Sequence, residues 1–135
     1  MRAMEVQMEL FTWCDYYSVN NDELDNHHKA LFDIFNRLHE DCLGHDNAKC
    51  IIAILEELVL YAQCHFIAEE RYMRNIGYKE IDKHIIEHTE FAQKILQLRQ
   101  VAVKDDIVAT EELVLYLGEW ILNHVFDEDK KYAIC

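Results

Sequence analysis

His65-Phe66-Ile67-Ala68-Glu69 lies in the middle of a long run without proline, and its reading decides the fold. An imidazole and a carboxylate stand four residues apart, which on a helix is one turn along the same face. Around them Ile51, Leu55, Leu58, Ala62, Tyr72 and Ile76 recur at heptad-like steps. Such a stripe faces a core. His65 and Glu69 fall inside the stripe rather than opposite it. A carboxylate directed into an apolar interior is costly unless a partner or a metal meets it.

The same periodicity extends in both directions. A first helix is expected to start near Asn20, with Glu23 three residues on in a capping-box-like arrangement. Its seam is Leu24, His28, Leu31, Phe35, Leu38 and Cys42, and Leu43-Gly44 is its expected C-cap. His45, Asp46 and Asn47 read as a short turn. The second helix runs from about Ala48 to Asn75, closed by Gly77. The third begins near Glu80, with the seam Ile81, His84, His88, Phe91, Ile95 and Leu98. Lys104-Asp105-Asp106 reads as a loop. The fourth begins by Thr110, where Glu111 and Glu112 complement the helix dipole, and its seam is Leu113, Leu117, Trp120 and His124. Residues 1–18 form an aromatic arm (Phe11, Trp13, Tyr16, Tyr17) that should lie against the body. The pattern predicts an all-α, up-down-up-down four-helix bundle with an N-terminal arm. The whole chain, 1–135, is one domain: arm 1–18, bundle 19–135.

Composition agrees. The 135 residues suit one domain with a real core, and 51% hydrophobic content argues for folding rather than disorder. No proline and three glycines argue against an all-β fold. A net charge of -13 disfavours nucleic acid and anionic membrane as partners. Residues 1–13 show no basic-then-apolar secretory pattern, and no apolar run reaches membrane-spanning length, so a cytoplasmic location is expected. The five cysteines lack metal-type spacing and read as reduced thiols, although Cys42 and Cys50 flank one turn and could pair if oxidised.

His28, His65, His84, His88 and His124 sit in the four seams. Each taken alone reads as a core histidine with a hydrogen-bond partner, yet apolar stripes offer few partners for five. In an antiparallel bundle all five fall at the same depth. His84 and His88, at i and i+4, can chelate one ion from one face. His28 and His65 can serve a second, and His124 completes one of them. The nearby carboxylates are Glu69 and the group Asp127-Glu128-Asp129. Two octahedral ions offer about twelve positions. Five imidazoles, two bridging carboxylates and a bridging oxygen leave about one open, beside apolar walls at Leu31, Ala62, Phe66, Trp120 and Ile121. That vacancy suits a small diatomic ligand.

Four pieces in order carry a resemblance: Asp25-Asn26-His27-His28-Lys29-Ala30-Leu31, His65-Phe66-Ile67-Ala68-Glu69-Glu70, His84-Ile85-Ile86-Glu87-His88 and His124-Val125-Phe126-Asp127-Glu128-Asp129. From Trp13 to Asp129 the chain resembles the hemerythrins, especially the single-domain bacterial ones. The resemblance implies two non-haem iron ions, a di-iron centre with a bridging oxo or hydroxo. One iron takes His84, His88 and His124, the other takes His28 and His65, and Glu69 and Asp129 bridge them. It implies reversible O2 binding at the second iron, with NO and small anions such as azide as further ligands. His28 is preferred over His27 because it lies on the Leu24-Leu31-Phe35 seam, and His27 should point elsewhere. Asp129 is i+5 from His124, about 140° around an α-helix, so the helix should loosen or end near it. Asp127, Glu128, Glu70, His39 and His45 read as surface residues.

Five imidazoles with two carboxylates contrast with oxygen-activating di-iron bundles, which use four Glu and two His. Fewer anionic ligands favour carriage over oxidation. No general acid is evident among the walls. Reversible O2 binding, as carrier, store or sensor, is therefore expected, without enzymatic turnover. The alternatives are a di-iron enzyme reducing nitric oxide or peroxide, and a bundle in which a metal is only structural. Oligomeric state is left open.

Overall fold

The computed structural model describes residues 10–43 and 48–133, without the side chain of residue 48. Among them there are helices and turns and no strand. The helices are α1 (Asp22–Arg37, prolonged by a π-helical turn Leu38–Cys42), α2 (Ala48–Ile76), α3 (Ile81–Lys104), α4 (Asp106–Trp120, prolonged by the π-helical Ile121–Glu128) and α5 (Asp129–Ala133). The four long helices form the bundle. The expected C-cap at Leu43-Gly44 and the turn at 45–47 lie outside the described residues, in whole or in part.

Local chemistry sets the helix ends. Asn20 takes the left-handed conformation (φ 61°), which asparagine tolerates better than most residues. A capping residue needs extended backbone, so the cap falls one residue later than expected. Asn21, at φ -146°, accepts the Leu24 N–H at 3.0 Å. α2 ends in a Schellman motif: Tyr78 N–H bonds to Met73 O at 2.9 Å and Gly77 N–H to Arg74 O at 3.2 Å, with Gly77 at φ 70°. Ile76, placed in the core stripe by its spacing, is the last helical residue. It stays 40% exposed, and Met73 takes the buried position instead. Between α3 and α4 the expected loop shrinks to one residue. Asp105 ends α3 and caps α4, its carboxylate accepting the Val108 N–H at 3.1 Å. α4 therefore starts at Asp106, one turn before Thr110.

The arm lies on the bundle. Phe11 and Asn36 exchange two hydrogen bonds of 2.9 and 2.8 Å. Asp25 accepts from Ser18 Oγ at 2.6 Å and Val19 N–H at 2.8 Å. Tyr17 stacks on Phe126 with ring centroids 4.1 Å apart, while Phe11 and Trp13 meet Phe32. Tyr16, expected in this cluster, is 74% exposed. Cys42 and Cys50 are joined in a disulfide (Cα–Cα 5.7 Å), against the expectation of reduced thiols, while Cys14 and Cys64 are free and exposed.

Two apolar clusters fill the interior. The larger runs from Cys42 and Ile51 through Leu58, Phe91 and Leu117 to Phe66 and Val125. The smaller holds Val19, Leu24, Ala68, Met73, Tyr78 and Tyr132. Full burial of each large aliphatic side chain stabilises by about 1.5–3 kcal/mol. The polar cluster described next draws on positions between the two in each helix, so apolar residues cover it on both sides. One sequence expectation changes here. The stretch Lys49–Ile76 is long enough, and in its most apolar 18-residue window (mean hydropathy 1.7) apolar enough, to span a membrane. Ile51, Leu55 and Leu58 nevertheless spend their apolar surface on the bundle core, and the same helix buries His65 and Glu69 completely or nearly so.

Candidate metal centre

Four helices and the start of α5 bring all seven expected site residues together. His28 comes from α1, His65 and Glu69 from α2, His84 and His88 from α3, His124 from the π-helical prolongation of α4, and Asp129 from the first residue of α5. None is more than 3% exposed. They form two groups that share a carboxylate: Glu69, His84, His88 and His124, and His28, His65, Glu69 and Asp129. Within each group one ligand atom per residue lies within 4.8 Å of all the others.

The carboxylates face both ways. Glu69 Oε1 lies 2.7 Å from His88 Nε2 and 3.2 Å from His84 Nε2. Its Oε2 lies 3.5 Å from His65 Nε2 and 3.9 Å from His28 Nε2. Asp129 Oδ1 meets His84 Nε2 at 2.7 Å and His124 Nε2 at 3.0 Å, whereas Oδ2 meets His28 Nε2 at 3.0 Å. Each carboxylate thus gives one oxygen to the three-imidazole side and the other to the two-imidazole side.

Asp129 reaches this place because the helix widens. Over Ile121–Glu128 the backbone bonds i to i−5, and the Asp129 N–H closes on His124 O. That wider turn brings residue i+5 over residue i, where an α-helix would bring i+4. The conflict between helix geometry and motif spacing is resolved by the backbone. Asp127 is exposed and Glu128 pairs with Lys131 at 2.9 Å, so neither joins the cluster.

The protein's own atoms leave the cluster unsatisfied. His28 Nδ1 and Nε2, His124 Nε2 and Asp129 Oδ2 are buried with no hydrogen-bond partner. His28 Nε2 and Asp129 Oδ2 are close but misaligned. A buried polar atom without a partner costs about 1–3 kcal/mol, and three of these, His28 Nε2, His124 Nε2 and Asp129 Oδ2, face the carboxylate cluster. A pair of cations is what this donor set fits: neutral nitrogen donors around two buried anions.

Electrostatics agrees. Burial pushes the Glu69 carboxyl up, but the imidazoles of His65, His84 and His88 outweigh it and hold it well below the usual carboxylate range. Burial and the Glu69 charge push Asp129 up, and His124 and His28 outweigh them in the same way. Burial pushes His84 down, yet hydrogen bonds to Asp129 and Glu69 raise it to about 9. Burial likewise opposes His124, and Asp129 and Glu87 raise it to about 10. For His65 burial wins over Glu69 and the imidazole is pushed down. Without metal, His84 and His124 keep protons at neutral pH and place positive charge beside the two carboxylates.

Several residues support the seven from behind. Glu70, expected at the surface, is 21% exposed and meets His88 Nδ1 at 2.8 Å. Glu87 meets His124 Nδ1 at 2.6 Å. His27, expected to point away, meets His65 Nδ1 at 2.9 Å. The Tyr132 hydroxyl donates to Glu69 Oε2 at 2.7 Å, and Tyr61 stacks on His65 with centroids 5.1 Å apart. Sequence reasoning missed Glu87, Tyr132 and Tyr61. The available signals were helical spacing: three past His84, three past Asp129 and four before His65. Phe66 stacks on His88 at 3.8 Å and Trp120 on His124 at 4.0 Å. Leu31, Ala62 and Ile121 are buried beside them as expected, and Trp120 is half-buried. His39 stands outside the cluster, half-buried near Phe35 rather than exposed; His45 lies outside the described residues.

Comparison with known proteins places this arrangement. A family model described as the hemerythrin HHE cation binding domain matches residues 19–133. A bacteriohemerythrin of Clostridium acetobutylicum is 31% identical over 128 residues, covering 91% of this chain and 98% of its own. A bacteriohemerythrin of Campylobacter jejuni is 35% identical over 114 residues, covering 84% and 86%. Among solved structures, wild-type hemerythrin superposes with a TM-score of 0.78 at 28% identity, covering 94% of this chain and 98% of that one.

Proposed function

Because the chain belongs to the hemerythrin family, we propose that its seven clustered side chains hold a di-iron centre and that the protein binds O2 reversibly there. His84, His88 and His124 hold the first iron, His28 and His65 the second, and Glu69 and Asp129 bridge them. The observation that carries this reading is the division of both carboxylates, one oxygen to each histidine group. Bound in this set, an iron pair would supply the electrons that reversible O2 binding requires.

The chain's own residues do the rest. Five imidazoles and two carboxylates keep the anionic ligand count low. Phe66, Trp120, Leu31 and Ile121 cover the centre with apolar surface and exclude water, which slows loss of electrons to solvent species. Among the described residues the hydroxyl hydrogen-bonded to Glu69 belongs to Tyr132. Burial, with the charges of Asp129 and Glu69, pushes that phenol far above its ordinary value, so it holds its proton. Tyr61 is pushed up for the same reasons, burial first. A centre without a ready acid is poorly equipped to cleave an O–O bond. Carriage, storage or sensing of O2 is thus favoured over catalysis, with NO and azide proposed as further small ligands of the same centre.

We further propose that residues 1–135 act as a single domain, arm included, without nucleic acid or membrane as partner. A cytoplasmic location is proposed on the exposed free thiols of Cys14 and Cys64, while the Cys42–Cys50 disulfide is the feature that runs against it. The test is iron analysis with an optical spectrum taken under argon, then air, then argon. Two irons per chain and a charge-transfer band that comes and goes with O2 are expected. Zinc in the site, a band that does not reverse, or sustained consumption of NO or peroxide with a reductant overturns the proposal.

A further inference from the structure

The five imidazoles are not backed alike. On the three-imidazole side, Nδ1 of His88 meets Glu70 at 2.8 Å and Nδ1 of His124 meets Glu87 at 2.6 Å. On the two-imidazole side no carboxylate stands behind a ring among the described residues: Nδ1 of His28 has no partner there, and Nδ1 of His65 meets Nδ1 of His27 at 2.9 Å. Two ring nitrogens this close form a hydrogen bond only when one carries the hydrogen and the other a lone pair. His65 presents Nε2 toward Glu69 Oε2 at 3.5 Å, and a ligand nitrogen there must be free of hydrogen. With a metal on Nε2 the hydrogen would sit on His65 Nδ1, and His27 Nδ1 would accept it. Resting on the two-metal reading above, we propose that His27 is a positioning residue for the second metal position: it fixes the tautomer and plane of His65, and, as an imidazole in a place where the other group has carboxylates, it leaves the second ion the more weakly held.

The physical basis is general. A partner on the outer nitrogen of a ligating histidine locks the ring, and an anionic partner also strengthens the metal–nitrogen bond by raising the ring's basicity. Glu70 and Glu87 do both, whereas His27 does only the first. His27 follows from the chain itself. It precedes His28 on α1, and the step of about 100° between successive helical residues points one imidazole at the centre and its neighbour at the back of His65 on α2. His27 is half-buried, and its ring meets that of His65 edge to face at 5.0 Å.

The test follows metal release rather than oxygen binding. The full chain is loaded anaerobically with ferrous iron and mixed with excess chelator, and iron loss is timed. Two phases are expected, the faster absent in His65→Ala. His27→Ala should quicken the faster phase by about 10–100-fold, the usual cost of removing such a partner, and leave the slower one unchanged. His27→Gln, whose amide oxygen can accept the same hydrogen, should restore the wild-type rate. His27→Glu should slow the faster phase toward the slower. Should the alanine variant fail to fold, the Gln and Glu variants carry the comparison by themselves. A single phase in the wild type, an equal effect of the variants on both phases, or a Glu variant that releases iron no more slowly than wild type overturns the inference. A wild-type chain that holds fewer than two ions overturns the two-metal reading, and this inference with it. Two ions with variants indistinguishable from wild type overturn only the role of His27.

Discussion

Removing the metal should make stability fall as pH rises, because two imidazoles then stand in for the missing cations. In the metal-free fold His84 is raised from 6.5 to about 9 and His124 from 6.5 to about 10. A group raised on folding stabilises fully below its unfolded value and loses that contribution as pH climbs through its folded value. The window is therefore pH 6.5 to 10. At about 1.4 kcal/mol per unit, the two shifts correspond to about 3 and about 5 kcal/mol. Both lean on Asp129, so the contributions overlap, and a joint loss near the larger of the two, on the order of 5 kcal/mol, is the working figure. Glu69 and Asp129 are held below the usual carboxylate range and contribute no slope in this window. The assay is urea denaturation of chelator-treated protein at half-unit steps from pH 6.5 to 9.5, beside the iron-loaded protein. The loaded form should lack this slope, since metal occupies the nitrogens that otherwise hold protons. Loading at pH 7.5 should release about two protons per chain, readable with an indicator dye. A metal-free protein whose stability is flat or rises across the window, or metal uptake without proton release, would refute the reasoning.

The remaining predictions concern the ligands and the helix ends. His65→Ala should lower bound iron and abolish the O2-dependent band, whereas His39→Ala should leave both intact, since His39 stands outside the cluster; equal behaviour in iron analysis and spectra would show the cluster to be misassigned. Gly77→Ala should destabilise by about 1–2 kcal/mol through its left-handed backbone alone, because an added Cβ meets nothing within 4 Å; thermal unfolding checks this. Asn21→Ala should cost about 1 kcal/mol by removing the cap on the Leu24 N–H, while Asn20→Ala acts only through its positive φ; urea midpoints of the two variants separate cap from turn.

Much of the bundle was legible because seam periodicity is local. Leu24, Leu31, Phe35, Leu58, Phe91, Ile95 and Leu113 are buried as their spacing requires. Boundaries were less legible where two local signals compete. Asp105-Asp106 carries both loop and cap chemistry, and the backbone uses Asp105 for both helices. At Asn20-Asn21 either residue could cap, and the positive φ of the first gives the cap to the second.

The histidines on four seams are a property of the sequence, since residue type and helical period put His28, His65, His84, His88 and His124 at one depth. So is the cost of Glu69 in an apolar stripe, which demands a cation whatever the details. What surrounds the seven was decided only by tertiary structure. Glu70, Glu87, His27 and Tyr132 look like ordinary face residues until neighbouring helices place ring nitrogens and a carboxylate within 2.6–2.9 Å of them. Asp129 is the clearest case: five residues past His124 it is out of line on an α-helix, and only the π-helical widening of Ile121–Glu128 turns it inward. Spacing along one helix follows from the chain, but contacts between helices and the winding of a backbone under load depend on the whole packed bundle.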